Sequence, residues 1–319
     1  MAIKLKFGYN VSGLTAYVDQ TSQELLVRSV FEGKTASKFQ KRTGIKSSEA
    51  LQLMATDVVF QTGGTCSVSA SGTTTFTQRN LTVGKVNITE YLCPKELEAY
   101  WTQQALSAGS TYDSIAFESD YTNAKASIIA ETNETALWQG NTSTGTGNNA
   151  YYNGFIKIID DASAVTISGN TGAVASGTGI TSGNIIAILD AMWLRLPASL
   201  KGKSDVEFML GSDTYDKLVM ALKAANLFWY NGVDGAAMAN GELTLAGTPY
   251  KVSRYFGLDG TNRIFLGRTS NFFIGTDLEG EDDQFQVKVL ETDQIRFKVD
   301  FKLGTQVAYP NEIVQFTFA

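Results

Sequence analysis

Histidine is missing altogether from the 319 residues, and the other side chains that do chemistry are thinly spread. Without histidine, a Ser-His or Cys-His nucleophile pair, a zincin site and a two-His-one-carboxylate iron site cannot be assembled. The two cysteines, Cys66 and Cys93, lack CxxC spacing and cannot build a structural zinc site. The sequence leaves open whether they bond or remain thiols. Gly202-Lys203-Ser204 has the ending of a phosphate loop, whose chemistry is the cradling of a polyphosphate by backbone N–H groups. That loop needs a glycine five residues earlier, between a strand and a helix. Pro197 stands there instead, a helix precedes it and a strand follows, so the context is reversed. Gly177 to Gly183 has one residue too many for a dinucleotide fingerprint and follows no strand. Asp277 with Glu281, Asp282 and Asp283 makes an acidic turn without the alternation or distal Glu of an EF-hand. Asp160 and Asp161 fall on an expected strand, where neighbours face opposite sides and cannot work as a pair. No catalytic, cofactor-binding or metal site is expected.

Composition points to architecture instead. Hydrophobic content of 43% fits a packed protein of one or two subdomains. No apolar run approaches the roughly 20 residues that cross a bilayer, and the N-terminus has no secretory h-region. The net charge of −6 is unevenly placed. Residues 1–46 carry Lys4, Lys6, Arg28, Lys34, Lys38, Lys41, Arg42 and Lys46 against Asp19, Glu24 and Glu32, a net +5 that leaves −11 elsewhere. Such a basic arm on an acidic body suits docking on the acidic surface of another copy, or contact with nucleic acid. It is equally readable as a solvated segment. No Arg cluster interleaved with aromatics signals dedicated nucleic-acid recognition.

The elements follow from periodicity. Residues 1–46 form an extended arm with one helical turn near Glu24–Val30, and Ser47-Ser48-Glu49 resembles a helix start ahead of Leu51, Leu53 and Met54. Val58 to Tyr91 is a β ribbon with segments Cys66–Ala70, Thr73–Gln78 and Lys85–Tyr91. It is rich in Thr and Ser, poor in large apolar residues, and an isolated hairpin is marginal in water. It needs a surface to lie on, supplied by its own body or by a neighbour. Pro94 opens a helix to about Leu106, and a longer helix spans residues 114–139, on the order of 38 Å at 1.5 Å per residue. Gly140 ends it. Gly154–Ile159 is an expected strand, and Ser182–Leu196 is the clearest helix, with Ile185, Ile188, Leu189, Met192, Trp193 and Leu196 on one face. Asp205–Leu210 is a strand, and Ser212 or Asp213 caps a helix lined by Tyr215, Leu218, Val219 and Leu222.

After Asn231-Gly232 the pattern stays β to the end. In Gln294–Gly304, Ile295, Phe297, Val299, Phe301 and Leu303 alternate with Arg296, Lys298, Asp300 and Lys302. Burying that apolar face is worth roughly 7–15 kcal/mol gross, before chain entropy. Thr305–Tyr309, a turn at Pro310-Asn311 and Glu312–Phe318 complete the chain. The class is α+β.

Three segments in order resemble the tailed-phage major capsid protein of the HK97 fold. They are Ala136-Leu137-Trp138-Gln139-Gly140-Asn141 leading to Gly154-Phe155-Ile156; Phe208-Met209-Leu210-Gly211-Ser212 feeding Tyr215-Asp216-Lys217-Leu218; and Arg296 to Gly304 followed by Val307, Pro310 and Ile313-Val314. The resemblance covers residues 110–319, and the earlier part matches by element order alone. It implies an N-terminal arm (1–46), an extended β loop region (47–93), a peripheral domain (94–181) with spine helix 114–139, an axial domain (182–283) and closing strands returning to the peripheral domain (284–319). The implied function is a virion shell subunit, not an enzyme, that assembles into pentamers and hexamers of an icosahedral head around double-stranded DNA. Assembly would take place in the host cytoplasm. Implied partners are copies of itself, a separate scaffold protein, a portal and decoration proteins, with weak non-specific DNA contact, no membrane and no cofactor. Subunit contacts are expected at Lys38, Lys41 and Arg42 of the arm and at Phe76, Arg79 and Lys85 of the loop. Some members link subunits covalently through Lys and Asn; Lys85 is the lone loop lysine and 284–299 holds no Asn, so no such link is expected. The alternatives are an encapsulin-like compartment around protein cargo, or another phage tail or surface protein.

Overall fold

The computed structural model describes residues 34–61, 71–92, 114–164, 166–169, 179–225, 241–244, 251–277, 286–289 and 295–317. The arm up to residue 33, the expected strand Cys66–Ala70, the helix from Lys95 to Leu106, both cysteines, Gly177 and acidic residues 281–283 lie outside them. In chain order the helices are α1 (Lys34–Lys38), α2 (Ser114–Gln139), α3 (Phe155–Asp161), α4 (Ile185–Arg195) and α5 (Ser212–Ala224). The strands are β1 (Gln40–Arg42), β2 (Ser48–Thr56), β3 (Thr74–Thr82), β4 (Gly84–Leu92), β5 (Ile167–Ser168), β6 (Val206–Leu210) and β7 (Glu242–Thr244). They continue with β8 (Lys251–Arg254), β9 (Arg263–Arg268), β10 (Phe272–Thr276), β11 (Gln286–Val289), β12 (Ile295–Val307) and β13 (Val314–Thr317).

The alternating segment becomes β12, the backbone of a five-stranded sheet. β4 pairs with one edge of it, while β11 and β10 share the other, all antiparallel, and β1 adds to β10 in parallel. Phe297, Val299, Phe301 and Leu303 are buried, as the period-two pattern requires. The strand runs on through Gly304 to Val307 without the expected break. A second sheet has the order β5-β13-β9-β6-β8-β7. Helices α4 and α5 cover one face of it, and Ile185, Ile188, Leu189, Met192, Leu218 and Leu222 meet Phe208, Leu210, Ile264 and Leu266 there. Of the last two strands, β12 stays in the first sheet, and β13 pairs with β9 and β5 in the second.

Between the sheets lies an aromatic core. Phe39, just after α1, stacks on Phe272 at 4.7 Å and on Tyr255 at 5.6 Å, and meets Phe155 and Trp138 edge-on at 5.3 and 5.8 Å. Such pairs contribute about 0.5–1.5 kcal/mol each beyond area burial. Met209 and Phe265 reach this cluster from the back of the second sheet, and Phe297 to Leu303 from the first. The last turns of α2 enter it through Leu137 and Trp138. Gly140 follows at a close approach, since a β-carbon there would lie 2.5 Å from the Tyr152 carbonyl oxygen.

Several expectations are corrected. The expected helix start at Ser47-Ser48-Glu49 is the beginning of β2, because Leu51 and Leu53, two apart, lie on one face and the strand pairs along its whole length with β3. Gly154–Ile159 forms helix α3 rather than a strand. Phe155, Ile158 and Ile159 are buried at helical spacing, and extended Gly154 (φ −82°, ψ 172°) starts the turn. Asp160 then pairs with Arg263 and Asp161 with Lys157 one turn back. Helix α5 is capped from afar: the Ser212 N–H donates to the Asp259 carboxylate, and Gly211 at the N-cap makes no side-chain bond.

Replacing Phe39 with alanine should lower stability by about 3–5 kcal/mol, read as a drop in the urea midpoint, whereas Met54→Ala on the exposed ribbon should stay within about 0.5 kcal/mol.

Candidate functional site

With no group of three or more His, Cys, Asp or Glu among the described residues placed to hold a metal, the features to weigh are surfaces. The first is the two-stranded ribbon β2–β3. Directly opposed residues share a face, so Leu51, Leu53 and Leu81 point one way while Met54 and its partner Phe76 point the other. The first face is partly used: Leu51 and Leu81 are buried with Ile45 and Val83, and Phe273 of β10 packs against them. The second face is bare. Phe76 is 73% and Met54 57% exposed, and Phe60 nearer the tip is 96% exposed. Met54 and Phe76, directly opposed, put two large apolar side chains side by side on a thin polar ribbon, and exposed apolar patches mark interaction sites. Each such side chain gains about 1.5–3 kcal/mol when fully buried.

The second feature is the root of the arm, residues 34–46. The Thr35 hydroxyl donates to one oxygen of the buried Glu134 carboxylate and its N–H donates to the other at 3.2 Å, while Trp138 Nε1 donates to the same hydroxyl at 2.8 Å. Lys38 Nζ bonds Glu207 at 3.2 Å, Ser253 at 2.8 Å and Glu242 at 2.8 Å. Glu207 also accepts from Ser253 and from the Tyr255 hydroxyl. Two carboxylates with almost no water contact thus fasten α1 to α2 and to the second sheet. Burial pushes the Glu134 carboxyl above its ordinary value, against the lowering effect of the Thr35 bonds and of Lys34. Burial and then Lys38 lower Lys34, while the Lys38 hydrogen bond holds Glu242 below the usual carboxylate range. Burial with the Glu207 charge pushes Tyr255 well up.

The six residues expected at subunit contacts separate into two groups. Lys38 and Arg79 have partners inside the chain, the former at the arm root and the latter through Nη2 to Gln306 Oε1 at 3.2 Å. Arg42 lies exposed with its guanidinium 5.9 Å from the Phe273 ring centre, and Lys41 beside it is exposed. Phe76 faces out on the ribbon. Lys85 is exposed but belongs to β4 opposite Lys302, so it sits on the body, and the expected loop Val58–Tyr91 is shortened at its far end by that strand. Residues that matter here and escaped the sequence reading are Thr35, Glu134, Glu207, Gln306 and Gly304. Only Gly304 carried a signal, because a glycine inside an alternating strand marks a close backbone approach.

No protein-family model matches the sequence, and no curated protein does. Solved structures do. A chain of the satellite phage P4 procapsid, in a structure that includes the size-determination (Sid) protein, is similar over 93% of this chain and 98% of its own, with TM-score 0.57 and 11% identity. The chain has an HK97-like capsid fold. A capsid chain of the native GTA particle aligns over 89% of each chain with TM-score 0.54 and 15% identity. A chain of Gordonia phage Cozz aligns over 89% of this chain and 86% of its own, with TM-score 0.56 and 12% identity. Within this fold the ribbon reaches beyond the two packed sheets, while the arm root is seated between them.

Glu134→Gln tests the buried acid. A carboxyl whose folded value is raised stabilises the fold fully below its unfolded value, and that contribution fades as pH rises through the folded value. Wild type should therefore lose stability relative to Glu134→Gln as pH climbs from about 4.5, the ordinary value, towards neutrality, measured as the difference in urea midpoints. Asp205, Glu242 and Asp300, whose values are lowered, act in the opposite direction and are common to both proteins.

Proposed function

We propose that this chain is the major capsid protein of a tailed double-stranded DNA phage, a subunit that assembles with copies of itself into the pentamers and hexamers of an icosahedral head. The observation that carries the reading is the near full-length likeness to capsid chains, from end to end of both partners. The bare Met54–Phe76 face adds an independent physical reason, since an isolated ribbon of this kind is completed by a neighbour. Residues 94–181 with β12 would be the peripheral domain and 182–283 the axial domain, with α2 as the spine. Arg42, Lys41, Phe76 and Lys85 are the expected contact residues that lie exposed on the subunit. Lys38 and Arg79 instead hold the arm and the ribbon in place for it.

The chemistry of such a protein is interface energy. The acidic body, −11 outside the first 46 residues, suits a shell that touches packaged DNA weakly and lets it leave. A separate scaffold, a portal and decoration proteins complete the proposed partner set, with the virion as the site of action and the host cytoplasm as the place of assembly.

Expression of the chain with a candidate scaffold should give closed shells or hexamers by negative-stain microscopy. Phe76→Asp should leave a folded subunit with an unchanged urea midpoint and few or no shells. Removal of residues 54–76, with Leu53 joined to Thr77 through two glycines, should do the same, because it spares β4. Unchanged shells from both variants would reject the role of the ribbon, and a stable monomer from the wild type under all conditions would reject the capsid reading. Particles that carry protein cargo in place of DNA would favour the compartment alternative.

A further inference from the structure

The ribbon is joined to the body by two short connections. Residues 43–47 lead from β1 to β2 and include Gly44 at φ +84°, and Val83 alone separates β3 from β4. Apolar contact beneath the root comes from Ile45, Leu51, Leu81 and Val83. Such contact is non-directional and would tolerate many tilts. The Ile45 N–H also donates to the Thr276 carbonyl of β10 at 3.0 Å, and two further features nearer β3 are directional. Gly275 and Gly304 are cross-strand partners on β10 and β12, and together they leave a notch without side chains on the outer face of the sheet. A β-carbon at Gly304 would lie 2.1 Å from the Thr82 carbonyl oxygen, and one at Gly275 would lie 3.0 Å from Leu81 Cγ and 3.1 Å from Ile45 Cδ1. The ribbon root therefore rests on sheet backbone. Two residues along the same face, Gln306 grips it. Its Nε2 donates to the Asn80 carbonyl at 2.6 Å, and its Oε1 accepts from Arg79 Nη2 at 3.2 Å and from the Val307 N–H at 3.0 Å.

One amide side chain thus reads both the main chain and the side chain of β3 while tied to its own strand. A planar amide held by three bonds has a single orientation, and Asn80 and Arg79 inherit it.

We propose that Gln306, seated beside the Gly275–Gly304 notch, is the positioning residue that sets the angle at which the ribbon leaves the body, and through that angle the curvature with which copies join. The consequence for curvature rests on the capsid reading; the angle itself does not. Leu51 and Leu81 supply adhesion, and Gln306 supplies direction. A loss of Gln306 should leave the ribbon attached but free to tilt.

The test uses the full chain with Cys66 and Cys93 replaced by serine and spin labels at Thr75→Cys on the ribbon and Ser163→Cys on the body. In unassembled subunits, pulsed electron resonance should give one narrow distance peak for the parent. Gln306→Ala should broaden or split that peak, with the urea midpoint of the body unchanged, and Gly304→Ala should shift it. Arg79→Ala provides a second route to the same broadening should Gln306→Ala fail to fold. Under assembly conditions, Gln306→Ala should yield mixed particle diameters where the parent gives one. A narrow, unmoved peak in all three variants overturns the proposal. If the parent forms no particles, the capsid reading fails while the distance measurement still decides the role of Gln306.

Discussion

Everything in this fold hangs on a wedge. The ring of Phe39 fills the space between two sheets that have no strand in common, and the buried carboxylates of Glu134 and Glu207 hold Thr35 and the Lys38 ammonium just ahead of it. Aromatic burial supplies the energy, but it would let the wedge slide. The charged and hydrogen-bonded groups fix its position, at the cost of taking two acids out of water. That cost is visible in the raised Glu134 and offset by two donors on Glu134 and three on Glu207. With the wedge seated, the departure point of the arm and the relative placement of the sheets are settled together.

The two protrusions are held by different physics. The arm root is gripped by the core of the molecule itself, with Thr35, Ala36 and Phe39 almost fully buried. The ribbon is gripped at its base only, over a small cluster, and its outer face remains bare. The ribbon, expected to need a surface to lie on, finds one on its own body for one face only, whereas the described part of the arm is held by its own chain. A chain folded in this way carries its own foundation for each protrusion and leaves the exposed apolar surface farther out.

Long periodic segments were legible from sequence. The buried face of α4 and the alternation in β12 follow from spacing alone, because each buries one continuous stripe, and α2 occupies the expected residues 114–139. Short segments were not. Phe155-Ile156-Lys157-Ile158-Ile159 satisfies either period over five residues, and the choice of helix depends on Phe272 and Trp138, which come from elsewhere in the chain. Ser48–Thr56 follows its partner strand rather than its own capping pattern. The candidate site was half readable. Phe76 and Arg42 were expected at contacts by type and segment and are exposed on the subunit, whereas the pairing of Lys38 with Glu207 joins residues 169 apart and has no local signature. The same holds for Gln306, an ordinary residue until Asn80 is brought beside it.

Strand β12 is made after every strand that pairs with it. β4, β10 and β11 all precede it, and the contact between Asn87 and Asp300 closes a loop of 213 residues. While the nascent polypeptide is still emerging from the ribosome, β4 has no bed to lie in and the base of the ribbon has no Gly304 or Gln306 to rest on. Slow, long-range closure of this kind exposes strand edges for a time. It also acts as a timer: the ribbon acquires its footing only when translation has reached β12.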